Sequence, residues 1–210
     1  MRDERLDRLA KMLLTYSIKL KAGDLFQING AILAKPLMKA LIREGKAIGA
    51  VPLLKVADEE LNRLMLDVID PEKPEEANEF FKKQIEWEKA YWAHVAAHVD
   101  IGVTENDMEY SSVDPRKLAL RSRAMRELHD IIIDERKWVY LHWPTKGQAQ
   151  KAGMSYDDFF EFFIDVCLVD YEKMAKDLEP LKKLMEKTDR VRICSNGTDL
   201  SFSIKGMNVI

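Results

Sequence analysis

Apolar residues recur at helical spacing along the first twenty residues of the chain. Leu6, Leu9 and Leu13 fall on one helical face, and Asp3 stands where an N-cap is expected. Residues 25–29 are short and apolar and follow a turn, which predicts a buried strand. We therefore expect an amphipathic helix followed by a strand.

The alternation of strand and helix repeats over the first 142 residues. Asp58 and the Asp114–Pro115 pair mark helix starts, and Pro36 opens a further helix. The connections between strands are much longer than hairpins, which favours parallel pairing. We predict an α/β fold, a mostly parallel sheet covered by helices. Its predicted strands are residues 25–29, 51–56, 99–103 and 138–141.

The pattern changes after residue 145 to helical spacing. Ser155 resembles a helix cap, apolar residues on two faces predict a largely buried helix after it, and Pro180 is expected to kink or restart the next helix. Asn196–Gly197 then predicts a tight hairpin. Because an apolar hairpin leaves sheet edges unpaired, we expect it to begin a second domain, with boundaries at 1–188 and 189–210.

Composition excludes several classes of protein. The 47% hydrophobic and 33% charged residues indicate a folded globular chain, and the net charge of -3 has no concentrated basic face. Residues 1–5 lead into no apolar signal segment, and no stretch reaches the roughly 20 apolar residues of a membrane span. We expect a cytoplasmic protein that binds neither nucleic acid nor membrane.

The histidines give one candidate metal motif. His94 and His98 are four residues apart in a segment predicted to be helical to about residue 97, which is the spacing of a zinc HExxH site. The residues between them are Val-Ala-Ala, so the general-base glutamate is absent. We expect surface or packing histidines here, and structural roles for the isolated His129 and His142.

Other candidate chemistry is weak. Gly30 follows a predicted strand, but the further glycines of a dinucleotide loop are missing. Cys167 and Cys194 are expected to be buried, reduced thiols. Trp87 belongs to an aromatic cluster at helical spacing, completed by Tyr91 and Trp92, for which core or interface packing is favoured over ligand stacking.

Three longer strings carry a family resemblance. The first is Tyr-Ser-Ile-Lys-Leu-Lys-Ala-Gly-Asp at 16–24. The second is Trp-Pro-Thr at 143–145 with Gln-Ala-Gln-Lys-Ala-Gly-Met-Ser at 148–155, then Phe159, Phe163 and Asp170–Tyr171. The third is Gly-Thr-Asp-Leu-Ser-Phe-Ser-Ile-Lys-Gly at 197–206. In order and spacing they resemble the N-terminal portion of the thermophilic-type, or leucyl, metallo-aminopeptidases.

The resemblance implies a cytoplasmic exopeptidase that removes N-terminal residues of peptides with two divalent ions, zinc, cobalt or manganese. In that family the metal ligands are two glutamates, two histidines, a tyrosine and an aspartate, all downstream of the third string. No catalytic or metal residue is therefore assigned in this chain, and no cofactor is expected in it. By resemblance the chain supplies scaffold, substrate gating and homodimer contacts, and alone it is predicted to be inactive.

Two other hypotheses stay open. The chain could be a free-standing α/β binding or interaction module related to the peptidase, which a small-molecule pocket at the carboxyl ends of the strands would favour. It could also be an independent enzyme that uses His94 and His98, which bound metal at His94 would favour.

Overall fold

The four predicted strands are present and form one parallel sheet. The computed structural model describes residues 2–209. In chain order the strands are β1 (Leu25–Ala31), β2 (Val51–Ala57), β3 (Ala97–Gly102) and β4 (Lys137–His142). Their spatial order is β2–β1–β3–β4, which makes β1 and β3 central. The predicted parallel α/β sheet is confirmed.

Helices connect and follow these strands. The predicted caps are confirmed: carboxylates of Asp3, Asp58 and Asp114 accept hydrogen bonds from backbone N–H groups of the first turns that follow them. The helices are α1 (Glu4–Met12), α2 (Lys35–Ile48), α3 (Glu59–Leu64), α4 (Pro74–Trp92), α5 (Pro115–Ala124), α6 (Arg126–Glu135), α7 (Lys146–Lys151) and α8 (Tyr156–Cys167), with short π or 3-10 turns at Leu13–Ser17, Ile32–Ala34 and Met65–Val68.

The central strands are covered on both faces. Phe26 and Gln27 are consecutive in β1, so their side chains lie on opposite faces of the sheet, and both are buried. Phe26 packs against α2 at Gly45, while Gln27 accepts a hydrogen bond from Tyr91 of α4 at 2.9 Å. The two helices therefore cover opposite faces, as expected for a parallel sheet.

A glycine sets the distance between α2 and the sheet. A Cβ atom at Gly45 would lie 2.5 Å from Cζ of Phe26, a separation that side chains do not adopt. Phe26 is fully buried and cannot move aside without disturbing the core. Glycine at position 45 thus allows α2 to approach β1 closely.

The chain divides into two units, Met1–Cys167 and Leu168–Ile210. The second contains α9 (Tyr171–Glu186) and the antiparallel pair β5 (Arg190–Ser195) and β6 (Thr198–Ser203). The predicted hairpin is confirmed, with Gly197 at φ 75° in its turn. The helix does not restart at Pro180. The domain boundary between residues 188 and 189 stays a prediction.

Two burial expectations are wrong. Helix α8 buries Phe163 but leaves Phe162 54% exposed, because one face of the helix packs on Trp143 while the other faces outward. Cys194 is exposed and Cys167 only half-buried. The reason for Cys194 is that β5 pairs with β6 in a two-stranded sheet whose side chains are largely exposed.

Candidate functional site

The carboxyl ends of the parallel strands meet at one edge of the sheet, where the chain changes direction. It leaves β1 for β2 on one side and returns to β3 on the other, which makes the β1–β3 boundary a topological switch point. Such points form crevices that bind ligands in α/β proteins. Segments that follow β1, β3 and β4 line a cavity of about 400 Å³ here. We call it the carboxyl-edge cavity; its lining residues are Leu33, Glu105, Trp143, Pro144, Thr145, Lys146, Gly147 and Tyr156.

The segment after β4 is held against the segment after β3. The Thr145 hydroxyl donates to the carbonyl of Thr104 at 2.8 Å, and the Trp143 N–H donates to the carbonyl of Gly102 at 2.8 Å. A Cβ atom at Gly147 would lie 2.8 Å from the carbonyl oxygen of Glu105, so only glycine permits this approach. These contacts hold together the two segments that line the cavity.

A capping box shapes the same segment. The Thr145 side chain accepts from the N–H of Gln148 at 3.3 Å, and the Gln148 side chain accepts from the N–H of Thr145 at 3.1 Å. This reciprocal pair starts α7 and orients the residues between them. The Thr-x-x-Gln spacing is a local signal that could have located this cap from sequence.

Aromatic residues support the cavity from α8. Trp143 is 4% exposed and meets Phe160 and Phe163 edge to face, with ring centroids 5.6 and 5.8 Å apart. Tyr156 packs on Phe160, and burial raises the pKa of its phenol above the ordinary value near 10. The apolar wall of the cavity, formed by Trp143 and Tyr156, thus packs on the aromatic residues of α8.

Two charged residues line this cavity without partners. Among residues 2–209, no hydrogen bond or ion pair engages the side chain of Lys146 or that of Glu105. The backbone N–H of Glu105 does donate, to the Glu59 carboxylate at 3.2 Å, which ties the segment after β3 to α3. Lys146 and Glu105 are both exposed, so the cavity combines an apolar wall with one solvated cation and one solvated anion that are unpaired among the described residues.

The predicted helical placement of His94 and His98 is wrong. Helix α4 ends at Trp92, and His98 lies in β3, 7% exposed and edge to face with Trp92. Its Nε2 has no hydrogen-bond partner within the described part of the chain, and burial lowers the pKa of its imidazole. Backbone pairing of Ala97 with Phe26 extends β3 into the segment predicted to be helical. His94 and His98 therefore do not share a helix, and the geometry of an HExxH zinc site is absent.

The remaining histidines and strand residues form no larger cluster. His129 is exposed beside Asp130, and Tyr140 and His142 hydrogen bond to each other at 2.6 Å. Within residues 2–209 no group of three or more His, Cys, Asp or Glu side chains is arranged to hold a metal ion. The donors present therefore do not fit a two-metal centre.

A second surface of interest lies beside the edge strand β2. Two cavities of about 320 and 580 Å³ share Lys55, Trp87 and Glu88 in their linings. Trp87 is 80% exposed, which is unusual for the largest apolar side chain. We define the β2-edge patch as the exposed apolar residues that line these cavities: Leu54, Met65, Val68, Phe80 and Trp87.

Comparison with protein families shows to which family the chain belongs. The profile of the thermophilic metalloprotease (M29) family matches residues 2–209. The chain belongs to this family. The metalloprotease resemblance predicted from the three sequence strings is thereby confirmed.

A solved structure shares the metalloprotease fold. Wild-type AmpT from Thermus thermophilus matches with a TM-score of 0.70 over 95% of this chain at 16% identity. The chain spans 53% of the length of AmpT. No curated protein matches the sequence.

The family strings lie at informative places in the metalloprotease fold. Trp143, Pro144 and Thr145, the first word of the second string, line the carboxyl-edge cavity, and the third string forms β6 with its turn. Sequence reasoning missed Leu33, Glu105 and Tyr156 as cavity residues. None of the helices within residues 2–209 combines the length and the apolar composition that a bilayer crossing requires.

Proposed function

We propose that this chain is the N-terminal part of a two-metal aminopeptidase that releases N-terminal amino acids from peptides. The observation that carries the proposal is the family match over residues 2–209. AmpT shares the fold of this chain, and the chain spans 53% of the length of AmpT. The proposal includes a cytoplasmic location, as the family resemblance implies.

In this proposal the chain contributes architecture and substrate gating, and the metal ions are held elsewhere. The described residues bring no three metal-ligating side chains together, which supports placing the zinc, cobalt or manganese pair outside residues 2–209. The carboxyl-edge cavity, whose segments after β3 and β4 are hydrogen-bonded to each other, is the part of the chain suited to restricting the access of peptides.

The test is hydrolysis of leucine p-nitroanilide by the purified 210-residue chain, supplied in turn with zinc, cobalt and manganese. We expect no turnover above buffer with any of the three ions, because residues 2–209 bring no three metal-ligating side chains together. In the source organism, antibodies against this chain should in addition detect a protein substantially longer than 210 residues. That protein, once purified, should retain two divalent ions.

Metal-dependent turnover that follows the 210-residue protein through purification would contradict the proposal. The variant His94→Ala then decides between two causes. Turnover lost with this variant would support the independent enzyme that uses His94 and His98, and turnover retained would point to other residues.

Homodimer contacts are the second element of this proposal. The β2-edge patch supports it, because a sheet edge flanked by exposed large apolar side chains is a typical interaction surface. We expect light scattering during gel filtration to show a concentration-dependent dimer. Trp87→Asp should shift the protein to monomer, since a charge would be buried in the interface without a partner.

The matched control for the dimer experiment is Phe162→Asp. Phe162 is an exposed aromatic residue outside the patch, so its replacement should leave the dimer intact. A chain that stays monomeric at all concentrations, or a dimer equally sensitive to both substitutions, would count against the β2-edge patch.

A second candidate function is a free-standing binding module related to the peptidase. The carboxyl-edge cavity favours it specifically, because it lies at the switch point of the sheet and falls in the range of small-molecule pockets, roughly 300–1,000 Å³. In this case the chain would act without metal ions, and its function would be defined by the ligand of the cavity.

A further inference from the structure

We propose that the carboxyl-edge cavity binds a free α-amino acid with an apolar side chain. Lys146 would meet the carboxylate of the ligand, Glu105 its ammonium group, and the aromatic wall its side chain. The inference deepens the second candidate function and is independent of the first, since it needs neither metal ions nor turnover.

Size and lining select the ligand class. A volume of about 400 Å³ lies near the lower end of small-molecule pockets, which suits a ligand of amino-acid size better than a nucleotide. Leu33, Trp143 and Tyr156 give the cavity apolar surface, and Leu33 is 45% exposed and available for contact. These walls favour an aliphatic over a polar side chain.

The charges select a zwitterion. Lys146 and Glu105 line one cavity, carry opposite charges and have no partner among the described residues. A ligand with a single charge would satisfy one of them and be repelled by the other, whereas a zwitterion satisfies both. Lys151, by contrast, already forms an ion pair with Asp107 and is not available.

The cavity is organised before any ligand arrives. The hydrogen bond from Thr145 to Thr104 fixes the segment that carries Lys146, and the contact of Glu105 with Glu59 fixes the segment that carries Glu105. Binding therefore requires little ordering of the backbone, which lowers its entropic cost.

Isothermal titration calorimetry of the metal-free chain tests the proposal with three probes. L-Leucine should bind, while N-acetyl-L-leucine, which lacks the ammonium group, and L-leucinamide, which lacks the carboxylate, should each bind about tenfold more weakly. Glycine should also bind more weakly than leucine, because it makes no apolar contact.

Two charge variants assign the contacts. Lys146→Gln should weaken leucine binding and remove the preference for leucine over leucinamide, whereas Glu105→Gln should remove the preference over N-acetyl-leucine. Lys11→Gln and Glu86→Gln, exposed residues on α1 and α4, are the matched controls and should change nothing.

The outcomes separate the possibilities. Leucine binding that is indifferent to both charge variants would overturn the zwitterion assignment and leave the binding module standing. No heat with any probe at millimolar concentration would overturn the inference. Peptidase turnover is measured separately, so its absence bears only on the first proposed function.

Discussion

Replacing Trp143 with alanine is expected to lower the free energy of unfolding by about 3–5 kcal/mol, the range for a large buried aromatic residue. Trp143 is 4% exposed and packs edge to face against Phe160 and Phe163. Its removal would leave a void between the segment after β4 and α8, and the rigid backbone there cannot close it. Urea unfolding followed by far-ultraviolet circular dichroism measures the change.

The matched control is Trp87→Ala, the same substitution at an exposed position. Trp87 is 80% exposed, so its loss should change the free energy of unfolding of the monomer by no more than about 0.5 kcal/mol. Both variants are compared at a concentration where the protein is monomeric. Equal destabilisation by the two substitutions would show that the Trp143 cluster is not a packed core.

The sheet could be predicted because its signals are local. Apolar runs such as 25–29 and the caps at Asp3, Asp58 and Asp114 depend on neighbouring residues alone, and all four strands and all three caps are present. The order β2–β1–β3–β4 depends on pairing between distant residues and has no local signal. The sequence therefore predicts the elements but not their arrangement.

The His98 error shows where local pattern fails. Residues 93–97 contain three alanines and no glycine or proline, so helical propensity continues past Trp92. In the folded protein Ala97, Val99 and Ile101 are buried between β1 and β4, and this non-local pairing outweighs propensity. A strand at the centre of a sheet is decided by its partners.

The carboxyl-edge cavity is a case of partial prediction. The string 143–145 resembles a family feature in sequence, but that it forms a wall of the cavity depends on Leu33 and Glu105, which follow two other strands and lie beside it. Lys146 and Glu105 are ordinary surface charges in sequence. Their shared position is a property of the topology, because parallel strands bring their carboxyl ends together.

Replacing Asp7 with asparagine is expected to lower the free energy of unfolding by about 1.5–3 kcal/mol at pH 7, the range for charged hydrogen bonds. Asp7 is 8% exposed and accepts from Arg43 of α2 and from Arg2, the latter at 2.5 Å. Asparagine removes the carboxylate to which both guanidinium groups donate. Because Arg2 and Arg43 keep contact with water, the loss stays below that of a fully buried pair.

The pH dependence of the stability lost in Asp7→Asn identifies the cause of the loss. The hydrogen bond from Arg43, then that from Arg2, holds the pKa of the Asp7 carboxyl below its ordinary value near 3.8. Its contribution is therefore complete above about pH 5 and is lost as pH falls through the lowered pKa, because the unfolded chain takes up the proton first. The difference between wild type and Asp7→Asn should shrink in that acid range and stay constant from pH 5 to 8. Glu86→Gln, an exposed carboxyl on α4, is the control, and a gap independent of pH down to 2 would attribute the loss to packing instead of charge.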